Sequence, residues 1–470
     1  MTMPDRDRRY VRSSPQRFAE QHRRGRSWIL LDVTDPSRPR VPRQPVLPLR
    51  HVRRGTARRY IHHRRRGLAR MTAFLAVLGP GLLAGLSDDD PAGITTYSIL
   101  GADYGYQLLW VVVLSTAMLV FFHLLAVRLG TVTGEGFAAV IRRVYGKPWA
   151  LAFAALFVVA NSGTICAEFA GIVAAASLAH VPAWAAAMPA AGVLCVMMID
   201  SSFRRIEHIL VALSCVLASY IAAGALAHPD WSATARGSVL PTGFAASGAT
   251  VAIAATIGTT LAPWGLAFIQ SYAADKGLRW PDYRLERIDV IIGALLTGII
   301  GVFIVVACAA TLHAHGVHIR DARDAAEALR PFAGRYAATL FGIGLLGAAV
   351  LAAAIVPLAT AYSISEATGH AADLDIHLSS EKLFYGMFVG LSLVAAAVVS
   401  IPGVNVIRLI YLSQVVNGVL LAPHLIALMI LCSSPDVVGE HRIGRGRQVL
   451  GWSGIAMVIV STIALGVTTI

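Results

Sequence analysis

Charge is scarce along most of this chain. Only 14% of its 470 residues are charged, 56% are apolar, and mean hydropathy is +0.64. That balance excludes an ordinary soluble enzyme and points to a polytopic helical membrane protein. Acids are the scarcer sign, 27 against 40 Lys and Arg, which gives a formal net charge of +13. The excess is uneven. Residues 1–70 hold 20 of the basic residues and five acids (Asp5, Asp7, Glu20, Asp32, Asp35), so this segment carries +15 and the remaining 400 residues carry −2. Nucleic-acid binding is therefore excluded as a property of the whole chain. Cysteines number five, Cys166, Cys195, Cys215, Cys308 and Cys432, each in or at the edge of an apolar segment. None has zinc-type spacing, so they read as packed thiols. No cleavable signal peptide is visible, because the first strongly apolar run, from near Met71, is too long for a signal core.

Residues 1–70 are rich in Arg and Pro, with one short apolar patch at Trp28-Ile29-Leu30-Leu31. We expect this segment to be mostly disordered and cytoplasmic. Its Arg runs (Arg53-Arg54, Arg58-Arg59, Arg64-Arg65-Arg66) suit anionic headgroups, at about 1 kcal/mol per charge near a lipid surface. Eleven apolar spans follow in residues 71–470: 72–102, 106–129, 149–178, 183–200, 208–227, 249–273, 288–312, 336–365, 383–401, 404–432 and 448–469. Each is near, or longer than, the roughly 20 residues that cross a bilayer. With the N-terminus inside, the internal loops hold Arg142, Arg143, Lys147, Arg204, Arg205, Lys276, Arg279, Arg284, Arg287, Lys382, Arg442, Arg445 and Arg447. The external loops hold only Arg236, Arg320, Arg323, Arg330 and Arg335. This satisfies the positive-inside rule and puts the C-terminus outside.

Within the first span stands Asp88-Asp89-Asp90-Pro91-Ala92-Gly93. A carboxylate at bilayer depth costs about 2.5–3.5 kcal/mol on insertion scales and usually marks an ion or proton path. Pro91 has no N–H and clashes with the preceding turn, so the helix should break there, and Gly93 relaxes the backbone beside the break. The sixth span repeats the pattern as Ala262-Pro263-Trp264-Gly265. Five spans separate the two breaks. Five is odd, so the halves, about 72–227 and 249–432, have opposite topology, with 448–469 as an extra helix. Inverted repeats of this kind bind substrate where their broken helices meet.

At these residues the chain resembles the NRAMP (natural resistance-associated macrophage protein) family of divalent-metal transporters over roughly residues 70–470. Gly79-Pro80-Gly81-Leu82-Leu83 leads into the first break as in the family. Arg128-Leu129-Gly130-Thr131-Val132-Thr133-Gly134, Ala167-Glu168-Phe169-Ala170-Gly171, and Leu412-Ser413-Gln414-Val415-Val416 with Pro423 are similar to its segments after span two and in spans three and ten. The resemblance implies an all-α, LeuT-like fold, and a metal site drawn from Asp90, Asp89, Asp88, Gly93, the freed carbonyls of Thr259 and Ala262, and Gln414. Glu168 is a coupling or gating group. The departures are informative. Typical members read Asp-Pro-Gly-Asn in span one and Met-Pro-His-Asn in span six. Here Gly93 and Gly265 replace the two Asn, Ala262 the Met and Trp264 the His. The thioether is the ligand that suits softer transition metals. Its loss leaves oxygen ligands and a roomier pocket, similar to the NRAMP-related magnesium transporters, and Mg²⁺ keeps several waters and uses one or two carboxylates. Two further positions that carry an acid and a second His in many members are Ile165 and Ile269.

The expectation is thus a multi-pass carrier of the cell membrane, a bacterial inner membrane, that moves Mg²⁺ and also Mn²⁺ by alternating access without proton coupling. It needs no cofactor, the ion being its substrate, and its other partner is the bilayer. A proton-coupled Mn²⁺ or Fe²⁺ transporter with an atypical site is the alternative. A carrier of organic solutes with Na⁺ fits poorly, since three acids would repel a substrate carboxylate. An intramembrane enzyme needs a second acidic cluster, or a second membrane Asp in its own motif, and no other span supplies either. Asn161, Ser162 and Thr164 read as interhelical contacts, and His180, His313, His315 and His318 as solvated loop residues.

Overall fold

Proline and glycine decide where the helices of this chain stop. A computed structural model describes Gly85, residues 88–199, Val216, residues 219–370 and residues 382–469. Residues 67–470 form one compact unit. The basic N-terminal segment, Gly79-Pro80-Gly81-Leu82-Leu83, most of the first half of span one, Arg204, Arg205 and Cys215 lie outside the described residues. Among the described residues every regular element is helical.

Helix α1 (Pro91–Tyr104) begins at the first break. Asp90 is its N-cap, with extended backbone (φ −79°, ψ 173°), and Pro91 takes the first helical position. That is the geometry a residue before proline prefers, and the position in a helix where a missing N–H does no harm. Helix α2 (Leu109–Thr133) is apolar nearly all round and ends at Gly134 in the left-handed region, φ 65°. It runs four residues beyond the expected end of span two. A further element, α3 (Phe137–Tyr145), buries Phe137, Ala138, Val140 and Ile141 beneath Arg142 and Arg143. There follow α4 (Lys147–Ser177), α5 (Ala183–Ile199), α6 (Ser219–Leu226) and the short α7 (Trp231–Val239).

The second half opens with α8 (Ala249–Thr260). Leu261 and Ala262 interrupt it, and α9 (Pro263–Asp275) resumes with Pro263 first. The break thus lies at Leu261 and Ala262, at the start of the 262–265 motif, because proline begins the second half of the helix rather than ending the first. Helices α10 (Tyr283–Thr311), α11 (Ala322–Glu327), α12 (Ala337–Thr368), α13 (Lys382–Val399), α14 (Val406–Ser433) and α15 (Arg445–Thr469) complete the order. Eight helical segments among the described residues are long and apolar enough to span a bilayer, the broken α8–α9 counted as one. Of the other expected spans, 183–200 is the shorter α5, and 72–102 and 208–227 are described chiefly in their C-terminal halves.

Packing follows the repeat. Helix α1, from the first broken span, packs on α10, while α9, from the second, packs on α2. Each half therefore lays its broken helix against the second span of the other half. The third spans of the two halves, α4 and α12, pack along each other, and the second broken span is buried along its apolar stretch. Glycines set the closest approaches. A Cβ at Gly258 would run into the Gln414 carbonyl, and one at Gly418 into the Ala254 carbonyl, so α8 and α14 cross backbone to backbone. Helix α15 packs on α14 and α8 from outside, with Val449, Val460, Ile463 and Val467 exposed.

Candidate functional site

The first break aims three carboxylates into the centre of the bundle. Asp88, Asp89 and Asp90 are all at most 4% exposed. Asp90 Oδ1 accepts the Gly93 N–H at 2.6 Å, which caps α1, and the Asp90 carbonyl accepts the Ile94 N–H at 2.9 Å. The capping role and the site role coincide, because an N-cap points its carboxylate at the break. Oδ2 of Asp88 and both side-chain oxygens of Asp89 are buried without a hydrogen-bond partner among the described residues. Such groups cost free energy unless something polar or cationic meets them.

Gly93 is required by its surroundings. A Cβ there would stand 2.8 Å from the Asp88 carbonyl oxygen and 3.5 Å from Asp90 Oδ1. Its loss of a side chain therefore comes with a backbone folded over it, rather than with open space. Gly265, at the second break, differs. The nearest atoms to a Cβ there would be His123 Nε2 at 3.4 Å and Asp88 Oδ1 at 3.5 Å, which are ordinary contacts. The room left by the missing Asn lies here, on the span-six side.

The second break supplies carbonyls. Pro263 has no N–H to give Thr259, so the Thr259 carbonyl loses the donor an unbroken helix would provide. The Ala262 carbonyl accepts the Gly265 N–H at 3.1 Å and keeps one lone pair. The two broken helices are tied by Tyr97 and Thr260, whose hydroxyls hydrogen-bond at 2.9 Å.

Glu168 on α4 is fully buried, lies near enough to Asp90 for the two carboxyl groups to interact, and has neither oxygen partnered among the described residues. Three residues on, Gly171 lets α4 close on the first break: a Cβ there would overlap the Pro91 ring. Gln414 is held differently. Its Nε2 donates to Ser413 Oγ at 2.8 Å, and its Oε1 accepts from Asn417 Nδ2 at 3.0 Å. Asn417 also donates to Thr164 on α4 at 2.8 Å. The Gln414 side chain is thus part of a polar bridge between α14 and α4, while its backbone carbonyl lies against α8 beside Gly258. Asn161 similarly donates to Thr360 on α12 at 2.7 Å, whereas Ser162 bonds back to Val158 of its own helix. Trp264, Ile165 and Ile269, where many relatives titrate, are fully buried.

Three of the loop histidines have local partners: His313 Nδ1 with the Ala102 carbonyl at 2.9 Å, His315 Nδ1 with the Thr311 carbonyl at 2.6 Å, and His318 Nδ1 with Asp103 at 2.7 Å. Cys166, Cys195, Cys308 and Cys432 are free thiols. Among the described residues no three His, Cys, Asp or Glu side chains converge into a closed metal cage. One polar residue at the site was not singled out by sequence. His123 comes from the middle of α2, is 1% exposed, and has both ring nitrogens unpartnered among the described residues. The available signal was a lone histidine halfway along an apolar span.

Residues 81–468 match the family model described as natural resistance-associated macrophage protein-like, Nramp. The divalent metal cation transporter MntH of Burkholderia ambifaria is 28% identical over 418 residues, which cover 86% of this chain and 90% of that one. MntH of Aeromonas hydrophila is 27% identical over 403 residues, covering 82% and 94%. The crystal structure of a manganese transporter from Eremococcus coleocola, in complex with an aromatic bis-isothiourea compound, superposes with TM-score 0.67 at 21% identity, covering 86% of this chain and 88% of that one. Mhp1, a nucleobase-cation-symport-1 family transporter, superposes with TM-score 0.51 at 13% identity over 79% and 80%. At these identities the solved structures establish a shared fold.

Proposed function

The chain belongs to the Nramp family, and from that premise we propose that it is a divalent-metal carrier moving Mg²⁺, and also Mn²⁺, by alternating access and without proton coupling. The observation that carries this reading is the pair of proline-broken helices lined by buried carboxylates. Beside them stand no thioether and two glycines where amide side chains stand in typical members. Oxygen donors with room for water suit an ion that dehydrates reluctantly. Asp88, Asp89 and Asp90 supply the negative charge, with the Thr259 and Ala262 carbonyls opposite. The Gln414 side chain is committed to Ser413 and Asn417, so its share is to hold α14 against the second break. Gly93 keeps the Asp88 carbonyl close to Asp90.

Uniport is energetically sufficient. A potential of 100 mV, negative inside, contributes about 2.3 kcal/mol for each of the ion's two charges. Burial of isoleucine and tryptophan at the three positions that titrate in many relatives supports transport uncoupled from protons. The N-terminus is cytoplasmic in this reading, the C-terminus external, and the basic segment 1–70 rests on anionic headgroups of the cell membrane.

The relatives named as manganese transporters, together with Glu168 beside Asp90, favour one alternative, proton-coupled Mn²⁺ uptake. Proteoliposomes loaded with a pH-sensitive dye, held negative inside and given Mg²⁺ or Mn²⁺, separate the two. We expect uptake of both ions with no metal-dependent acidification. Acidification that tracks metal entry and disappears in Glu168→Gln would establish the coupled alternative.

A further inference from the structure

We propose that His123 is a metal-binding residue of this carrier, donating its imidazole Nε2 to a first-row transition-metal dication such as Mn²⁺ or Co²⁺ held beside Asp88. The inference rests on the reading that the ion binds at the two breaks. Three observations carry it. His123 is 1% exposed, and neither ring nitrogen has a hydrogen-bond partner among the described residues. A buried imidazole left in that state is costly, so such a group normally meets a polar partner. Its Nε2 also points at the site: the position of a Cβ on Gly265 lies 3.4 Å from His123 Nε2 and 3.5 Å from Asp88 Oδ1. The two atoms therefore flank the same space from α2 and from the first break. Finally, a side chain at residue 265 would start at this point, in ordinary contact with both groups, and glycine leaves it clear. An amide growing from span six would fill it and stand between the imidazole and Asp88.

The chemistry follows from ligand type. A neutral imidazole binds Co²⁺ and Zn²⁺ well and Mn²⁺ more weakly, while Mg²⁺ takes oxygen and keeps its water. His123 thus supplies a nitrogen donor in a site that has lost its thioether. It admits transition metals without being needed for Mg²⁺, and it sets the ratio between them. The remaining coordination positions are open to water and to backbone carbonyls. The other buried histidine among the described residues, His424, has a different environment. Its ring packs against Phe153 and Phe157, with centroids 4.4 and 5.4 Å away, and its Nδ1 meets the Leu420 carbonyl.

The test uses the full-length protein in detergent, with Mn²⁺ as a paramagnetic probe and calorimetry for affinity. Electron spin-echo envelope modulation should show ¹⁴N coupling from one directly bound imidazole, absent in His123→Gln. The same variant, which keeps a polar side chain, should weaken Mn²⁺ and Co²⁺ binding at least tenfold while changing Mg²⁺ affinity less than threefold. Mn²⁺ bound without nitrogen coupling, or equal losses for Mn²⁺ and Mg²⁺ in His123→Gln, overturns the proposal and leaves His123 a packing residue. Asp90→Asn distinguishes the underlying reading. Nitrogen coupling that depends on His123 but persists unchanged in Asp90→Asn would uphold the imidazole ligand and remove Asp90 from the site. Absence of any Mn²⁺ binding would overturn both.

Discussion

Asp90 caps its helix with the same carboxylate that the proposed function gives to the ion, and the two roles are separable by substitution. Asn caps a helix about as well as Asp, so Asp90→Asn keeps the bond from the Gly93 N–H and removes only the charge. We expect this variant to fold with unchanged thermal stability and to lose Mg²⁺ uptake to background. Asp90→Ala loses the cap as well and should be less stable by about 1 kcal/mol. Wild-type flux in folded Asp90→Asn would take the charge out of the mechanism. The glycines that replace the family's asparagines are not equivalent, although in the sequence they look alike. Gly93→Asn would press its Cβ on the Asp88 carbonyl at 2.8 Å, and backbone has little freedom to yield. A softer ligand set is therefore better restored through Ala262→Met alone. That change should raise affinity for Mn²⁺ and Cd²⁺ relative to Mg²⁺ by about tenfold, or 1.4 kcal/mol, read by calorimetry. An unchanged ratio would mean that residue 262 does not face the ion.

At the scale of elements, the breaks were legible because proline acts locally. Asp90-Pro91 and Ala262-Pro263 each force one extended residue and one new helix start whatever surrounds them. The long apolar spans were legible for the same kind of reason, since length and hydropathy alone define them. Helix α3 was not. Its nine residues mix Arg142 and Arg143 with four buried side chains, and a short amphipathic helix reads as a charged loop until its neighbours are known. His123 and the committed Gln414 side chain were hidden likewise, because a sequence does not say which helix a polar residue meets. Gly171 shows the other side of this. Its place in Ala167-Glu168-Phe169-Ala170-Gly171 was visible as a motif, but the reason, contact with the Pro91 ring, belongs to two elements far apart in sequence. Gly171→Ala should push α4 from the first break, at a cost of about 1–3 kcal/mol by overpacking. A lowered melting temperature with reduced uptake would bear this out. Unchanged values for both would show that the Pro91 ring moves freely.

For the whole molecule, alternating access requires one face to close while the other opens, and the contacts on one face are specific. By the charge-derived orientation, the cytoplasmic side carries the α2–α3, α9–α10, α12–α13 and α14–α15 connections. Glu366 at the end of α12 accepts the Ala138 N–H of α3 at 3.0 Å, and a Cβ at Gly136 would overlap its carboxylate. Gln270 of α9 donates to the Glu135 carbonyl at 3.1 Å, and Tyr362 of α12 to Asp275 at 3.1 Å. Arg128, the first residue of the motif at the end of α2, donates to the His441 carbonyl at 2.7 Å and lies over the Trp280 and Tyr283 rings. Gly130 and Gly134 of the same motif let α2 approach Gln270 and Arg279. The motif is thus a closure of this face rather than part of the ion site. A hydrogen bond to a charged group contributes about 1.5–3 kcal/mol, enough to move a two-state equilibrium by an order of magnitude or more. Glu366→Ala should therefore raise the population open on this side. With the native cysteines replaced and a reporter at Ala262→Cys, an impermeant thiol reagent applied to this face should label the Glu366→Ala protein about tenfold faster than its parent. Equal labelling rates would mean that Glu366 does not hold the face shut.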